Sequence, residues 1–224
     1  MSPVFPLVAI VVAWLFAGTL AGQWMTRRRH HALAWAIALG LFGVGHLAVL
    51  VGLSAGWSPA VFGVYWLSGA LLNVPFLAIG QLHLQAPRQA LLWWTLAGLA
   101  VAWSVLFTVT ATFDTAALAA VDGVPAGREI IPGTVAFALL RPMTFTFVIV
   151  VVGSAWSAFR TRRWALLLIA FGTAVAAAGS SVIDSSVEFL FPVLSAAGVA
   201  LMYVGFRTVT APAPQPQPSQ PVTA

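Results

Sequence analysis

The stretch Thr26-Arg27-Arg28-Arg29-His30-His31 separates two long apolar segments and sets the interpretation of the whole chain. Similar links, with one or more arginines, follow every second apolar segment. Together they hold eight of the ten arginines: Arg27, Arg28, Arg29, Arg88, Arg160, Arg162, Arg163 and Arg207. Because arginines collect on the cytoplasmic side of membrane proteins, the pattern predicts a polytopic membrane protein with its N-terminus outside and its C-terminus in the cytoplasm.

The composition indicates how many membrane spans the chain contains. Its 224 residues are 61% hydrophobic and only 7% charged, whereas soluble domains are about 25% charged. A membrane helix needs about 20 apolar residues, so the chain predicts an all-α domain over residues 1–208 with seven transmembrane helices. We expect these at Val4–Met25, Leu33–Leu53, Val61–Leu82, Ala90–Val109, Gly133–Trp156, Ala165–Ile183 and Val187–Phe206.

The acidic residues and the C-terminal segment agree with this orientation. All five acidic residues map to the side opposite the arginine links: Asp114, Asp122, Glu129, Asp184 and Glu188. The C-terminal residues 209–224 are rich in proline, glutamine and serine. Such a segment buries too little apolar surface to fold, which predicts a disordered cytoplasmic tail.

Several classes of function are disfavoured by what the chain contains or lacks. The membrane explains the basic charge, so we expect the lipid bilayer, and not nucleic acid, as the partner. There is no cysteine, which removes disulfides and thiolate metal sites, and no lysine, which excludes a covalent retinal pigment. No catalytic residue, metal site or cofactor is assigned, and the sequence leans against an enzyme.

Arg141 is the sharpest candidate for a functional residue because it lies about 12 Å into the fifth predicted helix. Charged residues at such depth usually face the bundle interior or a wet cavity. Asp184 and Glu188 flank the turn between the sixth and seventh predicted helices and are candidate partners. The alternatives are a buried structural pair and an arginine whose side chain reaches the outer interface.

The motif Asn73-Val74-Pro75 lies near the middle of the third predicted helix. Pro75 is expected to kink the helix and to free the carbonyl of Leu71. Trp66 and Asn73 are predicted on one helix face, together with Gly69 and Gly80. A small ligand can use such a face, and so can plain helix packing in which Asn73 bonds a neighbouring helix.

His46 follows three glycines in the outer half of the second predicted helix, at about the predicted depth of Arg141. A histidine there serves as a proton relay, a pH sensor or a ligand contact, or it bonds a carbonyl across a helix interface. The other three histidines lie at the inner boundary. No second axial ligand is therefore expected for a bis-histidine haem, and no zinc site either.

A faint repeat relates two of the predicted helices. Trp35–Gly43 and Trp164–Gly172 agree at five of nine positions, and arginines precede each. The agreement suggests that helices one to three and helices five to seven are two parallel repeats, with the fourth helix as a linker between them. Chance agreement between two apolar helices is the alternative.

Two resemblances accompany these patterns. The segment Tyr65–Gly80 and the ending Met202-Tyr203-Val204-Gly205-Phe206 resemble small, uncharacterised seven-helix membrane proteins of high-GC bacteria. This resemblance implies a bacterial plasma-membrane protein and brings no residue roles. The three-plus-one-plus-three layout resembles sugar transporters of the SWEET and PQ-loop type, although the predicted helices of this chain hold no Pro-Gln pair.

The sequence thus favours a protein that binds or transports a small molecule or lipid within its helix bundle. The predicted lining of that site consists of Arg141, Asn73, His46, Asp184, Glu188 and Trp66. The alternative is a non-catalytic sensor or an assembly subunit of a membrane complex, because the chain has short loops and no output domain.

Overall fold

The computed structural model describes residues 4–131, 133, 143, 146–181 and 190–210, and this part of the chain is helical without any strand. The helices are α1 (Val4–Arg27), α2 (His30–Ala55), α3 (Pro59–Tyr65), a π-helix (Trp66–Leu72), α4 (Asn73–Gln85), a 3₁₀ turn (Pro87–Gln89), α5 (Ala90–Thr110), α6 (Thr115–Ala120), α7 (Gly127–Ile130), α8 (Phe147–Thr161), α9 (Leu166–Ser181) and α10 (Leu190–Thr210).

The described helices confirm the all-α prediction and are compatible with a membrane location. Five of them are long and apolar enough to cross a membrane, and α8 and α9 are shorter apolar helices. The five are Val4–Arg27, His30–Ala55, Pro59–Gln85, Pro87–Thr110 and Leu190–Thr208. The number of seven spans and the orientation of the termini remain predictions. The first two residues of the predicted tail, 209 and 210, end α10, and the remainder, 211–224, lies outside the described residues.

Six helices form a closed ring. Contacts run from α1 to α2, to α4, to α8, to α9, to α10 and back to α1. The fourth span, α5, packs from outside the ring on α4 and the π-helix, and its buried residues are Ala97 and Ser104. This arrangement is compatible with the predicted three-plus-one-plus-three layout, whereas the repeat itself stays a prediction.

Glycines bring neighbouring helices of the ring into backbone contact. A Cβ atom at Gly198 would lie 2.5 Å from the carbonyl oxygen of Gly172, so α9 and α10 approach more closely than side chains allow. Gly45 of α2 faces Gly69 of the π-helix in the same way, because a Cβ atom added to Gly45 would lie 2.9 Å from the Cα of Gly69. Without a hydrophobic force between helices in lipid, such close packing is a main source of association.

The third span departs from the single α-helix predicted for it. Its turns from Trp66 to Leu72 are a π-helix, and the backbone nitrogen of Asn73 bonds the carbonyl oxygen of Ser68, five residues earlier. Pro75 then stands in the first turn of α4, where a missing N–H costs least. The widened turn thus accommodates the proline, and it breaks the helical spacing that had placed Trp66, Gly69, Asn73 and Gly80 on one face.

The bundle has two chemically distinct ends, named here by their charges. The arginine end holds Arg27–Arg29, Arg88 and Arg160–Arg163. The acidic end holds Asp114, Asp122 and Glu129. At the acidic end, the segment 111–131 folds over α3 and the π-helix, where Trp57 donates a 2.7 Å hydrogen bond to the carbonyl oxygen of Gly123.

Candidate functional site

A narrow apolar gap lies at the centre of the ring, and each of the six ring helices contributes a side chain to it. We call it the central gap. It has room for about one water-sized sphere, and its walls carry almost no polar surface. It is lined by Phe16, Trp35, Leu39, Leu77, Val150, Ile169 and Met202.

Two polar residues of α4 lie one helical turn before and one turn after the gap-lining Leu77. Asn73, Leu77 and Gln81 follow one another at intervals of four residues, and Leu77 in the middle lines the gap. We call these three residues the α4 stripe. Because residues four apart share a helix face, the two amides stand on either side of the gap, about 12 Å apart along the axis. Both are buried, and Asn73 Oδ1 and Gln81 Nε2 have no hydrogen-bond partner among the described residues.

The Gln81 end of the stripe meets a serine from the neighbouring helix. The hydroxyl of Ser154 donates a 3.4 Å hydrogen bond to Gln81 Oε1, and Ser154 lies one turn beyond the gap-lining Val150 on α8. The bond occupies the oxygen of the amide and leaves the Nε2 donor free. Gly153 permits this approach, since a Cβ there would lie 2.6 Å from Gln81 Cγ.

His46 occupies the corresponding position on α2, toward the acidic end. Leu39, Phe42 and His46 share one helix face, and Leu39 lines the central gap. The imidazole lies between the rings of Phe42 and Phe191, at centroid distances of 4.1 Å and 5.7 Å. It is 5% exposed, so α2 and α10 enclose it almost completely.

The hydrogen bonding of His46 fixes which ring nitrogen is free. Nδ1 lies 3.1 Å from the carbonyl oxygen of Phe42. A carbonyl oxygen only accepts, so Nδ1 carries the hydrogen and donates it. In the neutral ring Nε2 is then a bare acceptor, and it has no partner among the described residues. His46 therefore offers an acceptor toward the acidic end of the site.

Of the six residues predicted to line a ligand site, the structure brings His46 and Asn73 to the same side of the central gap. Gly45, the neighbour of His46 on α2, faces Gly69 of the third span and lies at the same level along the bundle. Asn73 is four residues beyond Gly69, so it lies about 6 Å closer to the arginine end than Gly45. Trp66 lies elsewhere, with its ring against Gly127 of the segment 111–131. Arg141, Asp184 and Glu188 fall outside the described residues.

Gln81, Ser154 and Trp35 belong to the site but were not predicted to do so. The spacing of Gln81 from Asn73, two full intervals of four, was a usable signal in the sequence. Ser154 carried no such signal, because its role depends on which helix packs against α4. Trp35 begins the faint repeat Trp35–Gly43, and its indole nitrogen donates a 3.0 Å hydrogen bond to the Leu77 carbonyl oxygen inside the bundle.

Two of the remaining histidines, His30 and His83, form an aromatic cluster with Trp94 at the arginine end, and the ring of His31 contacts Trp35. His30 stacks on His83 at 5.4 Å between centroids, and the indole nitrogen of Trp94 donates a 3.2 Å hydrogen bond to His30 Nδ1. No group of three or more histidine and acidic side chains arranged to hold a metal occurs in the described part of the chain.

The site thus combines an apolar centre with polar atoms at both ends. No known family model, curated protein or solved structure matches the chain. The lining of the central gap is apolar, and the unpartnered polar atoms of Asn73, Gln81 and His46 belong to neighbouring residues on the lining helices α4 and α2. A nucleophile paired with a base is absent from that described lining.

Proposed function

We propose that the ring binds, and as a transporter carries, a small molecule or lipid in the central gap. The protein would lie in a bacterial plasma membrane with its arginine end in the cytoplasm. The observation that carries this proposal is the α4 stripe, in which two buried amides with unpartnered atoms flank a residue of the gap. Arg141, Asp184 and Glu188 remain candidate lining residues, whereas Trp66 packs against Gly127 away from the gap.

Unpartnered polar atoms favour a ligand over plain helix packing. A polar side chain that holds two helices together does so by bonding the neighbouring helix, as Gln81 does through Oε1 and Ser154. The atoms Gln81 Nε2, Asn73 Oδ1 and His46 Nε2 have no partner among the described residues. Each buried atom left without a partner costs about 1–3 kcal/mol. A bound molecule that supplies the missing partners recovers this energy.

The width of the central gap restricts what enters it. Because the gap holds about one water-sized sphere, anything larger requires a lining side chain to move. Met202 is the residue suited to this, since an unbranched thioether side chain adapts its shape to its neighbours. A slim, chain-like molecule therefore agrees better with the gap than a broad ring system.

The test is native mass spectrometry of the gently extracted protein, followed by identification of the released molecules. Leu77→Phe adds bulk to the wall of the central gap, and Leu99→Phe makes the same change on α5, where Leu99 is 61% exposed. We expect the wild type and Leu99→Phe to carry the same small-molecule adduct and Leu77→Phe to lose it.

A second, smaller substitution in the gap keeps the test valid if Leu77→Phe does not fold. Val150→Leu enlarges a different wall of the gap by one methylene group, and circular dichroism verifies that both gap variants remain helical. Equal adducts in the wild type and in both helical gap variants contradict the proposal. Release of a stably bound protein in place of a small molecule supports the alternative role as an assembly subunit.

A further inference from the structure

We propose that the arginine end of the bundle carries a pH-sensitive switch, in which protonation of His30 releases the near end of α5 from the ring. The switch consists of His30 at the start of α2, His83 near the end of α4 and Trp94 in the first turns of α5. We call these three residues the histidine switch. It needs no ligand in the central gap, so it is independent of the proposed function.

One hydrogen bond between α5 and α2 holds the histidine switch closed. The indole nitrogen of Trp94 donates to His30 Nδ1 at 3.2 Å. Because an indole N–H only donates, Nδ1 carries no hydrogen in this bond, and Nε2 carries the single hydrogen of the neutral ring. Protonation places a hydrogen on Nδ1 as well, and a protonated imidazole has no acceptor. The charged form of His30 therefore cannot make the bond.

The Trp94 ring does not offer a cation–π contact that would replace this bond. Its N–H edge points at His30, with the ring centroids 6.3 Å apart and the planes at 70° to each other. The edge of an aromatic ring is the positive pole of its quadrupole, whereas a cation is attracted by the ring face. Charging His30 thus replaces an attraction between α2 and α5 with a repulsion.

The elements around His30 contain no charge that would compensate its protonation. There is no acidic residue in α1, α2, α4, the 3₁₀ turn or α5. His30 is also the first residue of a 26-residue helix, where the positive end of the helix dipole opposes a cation. The charged and titratable groups of these elements at the arginine end are Arg27, Arg28, Arg29, His31, His83 and Arg88. A proton on His30 therefore meets only positive or neutral neighbours.

His83 makes the closed state easier to open. Its ring stacks on His30 at 5.4 Å between centroids and lies 5.2 Å from the ring of Trp94. It is 2% exposed, and neither of its ring nitrogens has a hydrogen-bond partner among the described residues. Burial of these two atoms costs the closed state free energy, and water reaches them when the neighbouring rings separate. The closed state is therefore only weakly favoured once the Trp94 bond is lost.

The packing of α5 allows its arginine end to move. Ala97 and Ser104 are its buried residues, and the bond from Trp94 is its one side-chain hydrogen bond to another helix in the described part of the chain. The other end of α5 stays against α3, where Thr108 lies 3.7 Å from a Cβ built on Gly63. Because α5 packs on α4, its release removes a support from the helix that carries the gap-lining Leu77.

Two readouts on the full chain in nanodiscs test the histidine switch at about pH 8 and about pH 5, on either side of the range in which histidines change charge. Labelling with 5-fluorotryptophan gives a ¹⁹F signal for Trp94, which Trp94→Phe assigns. Nitroxide labels on Met25→Cys and Leu91→Cys give the distance between α1 and α5 by double electron–electron resonance. Both positions are exposed, and the chain has no other cysteine.

Acidification of the wild type should shift the Trp94 signal and raise the population with a longer distance between the labels. The loss of one hydrogen bond corresponds to about a fivefold change in the ratio of closed to open protein. His30→Gln keeps an acceptor oxygen that does not titrate, so neither readout should respond to pH. His31→Gln is the matched control, because His31 contacts Trp35 and not α5, and it should keep both responses.

Trp94→Phe keeps the test valid if His30→Gln does not fold. It removes the donor from the other side of the bond, so the longer distance should be populated to the same extent at both pH values. Circular dichroism verifies that each variant remains helical.

Four results overturn the proposal. The first is a wild type that does not respond between the two pH values. The second is a distance change that persists in His30→Gln or Trp94→Phe, and the third is a response that disappears in His31→Gln. The fourth is a Trp94 signal that shifts while the distance between the labels stays constant, because the bond would then break without release of α5.

Discussion

The indole nitrogen of Trp35 donates a 3.0 Å hydrogen bond to the carbonyl oxygen of Leu77, 42 residues further along the chain. Both residues line the central gap. The Trp35 ring also lies against Gly80, where a Cβ would come within 2.2 Å of the indole nitrogen. This contact fixes the register of α2 against α4 and holds one wall of the gap in place.

Replacing Trp35 tests that contact. Trp35→Phe removes the donor and part of the packed ring, so we expect the free energy of unfolding to fall by about 1–3 kcal/mol. Trp103→Phe is the control, since Trp103 is 42% exposed on α5, and it should change stability by less than about 0.5 kcal/mol. Unfolding in mixed micelles, followed by circular dichroism, measures both. Equal decreases in the free energy of unfolding for the two variants would show that the Trp35–Leu77 hydrogen bond does not stabilise the fold.

Glycine substitutions test the close approach of the helices. At Gly80 an added methyl group meets the Trp35 ring, so Gly80→Ala should destabilise the protein by about 1–3 kcal/mol. At Gly98 nothing lies within 4 Å of the added atom, and Gly98→Ala should stabilise α5 by up to about 1 kcal/mol. The same unfolding assay measures whether each substitution lowers or raises the free energy of unfolding. A stabilised Gly80→Ala protein would contradict the observed packing.

The segment 111–131 is held to the bundle in part by Gly127, where an added Cβ would lie 2.0 Å from the Trp66 ring. We expect Gly127→Ala to loosen the segment and to speed tryptic cleavage after Arg128 by about tenfold, because proteolysis follows local opening. Gly18→Ala, with nothing within 4 Å, is the control. An unchanged rate at Arg128 would show that the segment does not depend on this contact.

The orientation in the membrane is open to a direct test because the chain has no cysteine. Ser54→Cys introduces a thiol at the acidic end and Thr161→Cys introduces one at the arginine end, both at exposed positions. We expect an impermeant maleimide to label Ser54→Cys on intact bacterial cells and to label Thr161→Cys only after permeabilisation. The reverse pattern would invert the predicted topology.

Hydropathy and arginine placement predicted most of the helical pattern, and α5 illustrates how closely. It was expected at Ala90–Val109 and is found at Ala90–Thr110. The π-helix before Asn73 was not predicted, because a π-turn in apolar sequence has the same composition as an α-turn and differs only by one residue in its hydrogen-bond spacing. The ring of six helices also needed the structure, since sequence does not give helix order.

The site was predictable in part for a similar reason. His46 and Asn73 are conspicuous polar residues in apolar helices, and the sequence singled them out. The tautomer of His46 depends on the Phe42 carbonyl, and the free end of Gln81 depends on Ser154 of another helix. The hydrogen bonding of these polar side chains is therefore a property of packing and could not be predicted from the chain alone.

The central claim, a ligand inside the ring, is tested most directly by ¹⁹F NMR of the protein labelled with 5-fluorotryptophan. Trp35→Phe and Trp103→Phe assign the signal from the gap and one from the lipid-facing surface. Addition of a slim, chain-like probe such as 1-decanol should shift the Trp35 signal in a saturable manner and leave the Trp103 signal in place. A Trp35 signal that does not respond while Trp103 does would show that the molecule stays in the surrounding lipid and that the gap is only a packing defect.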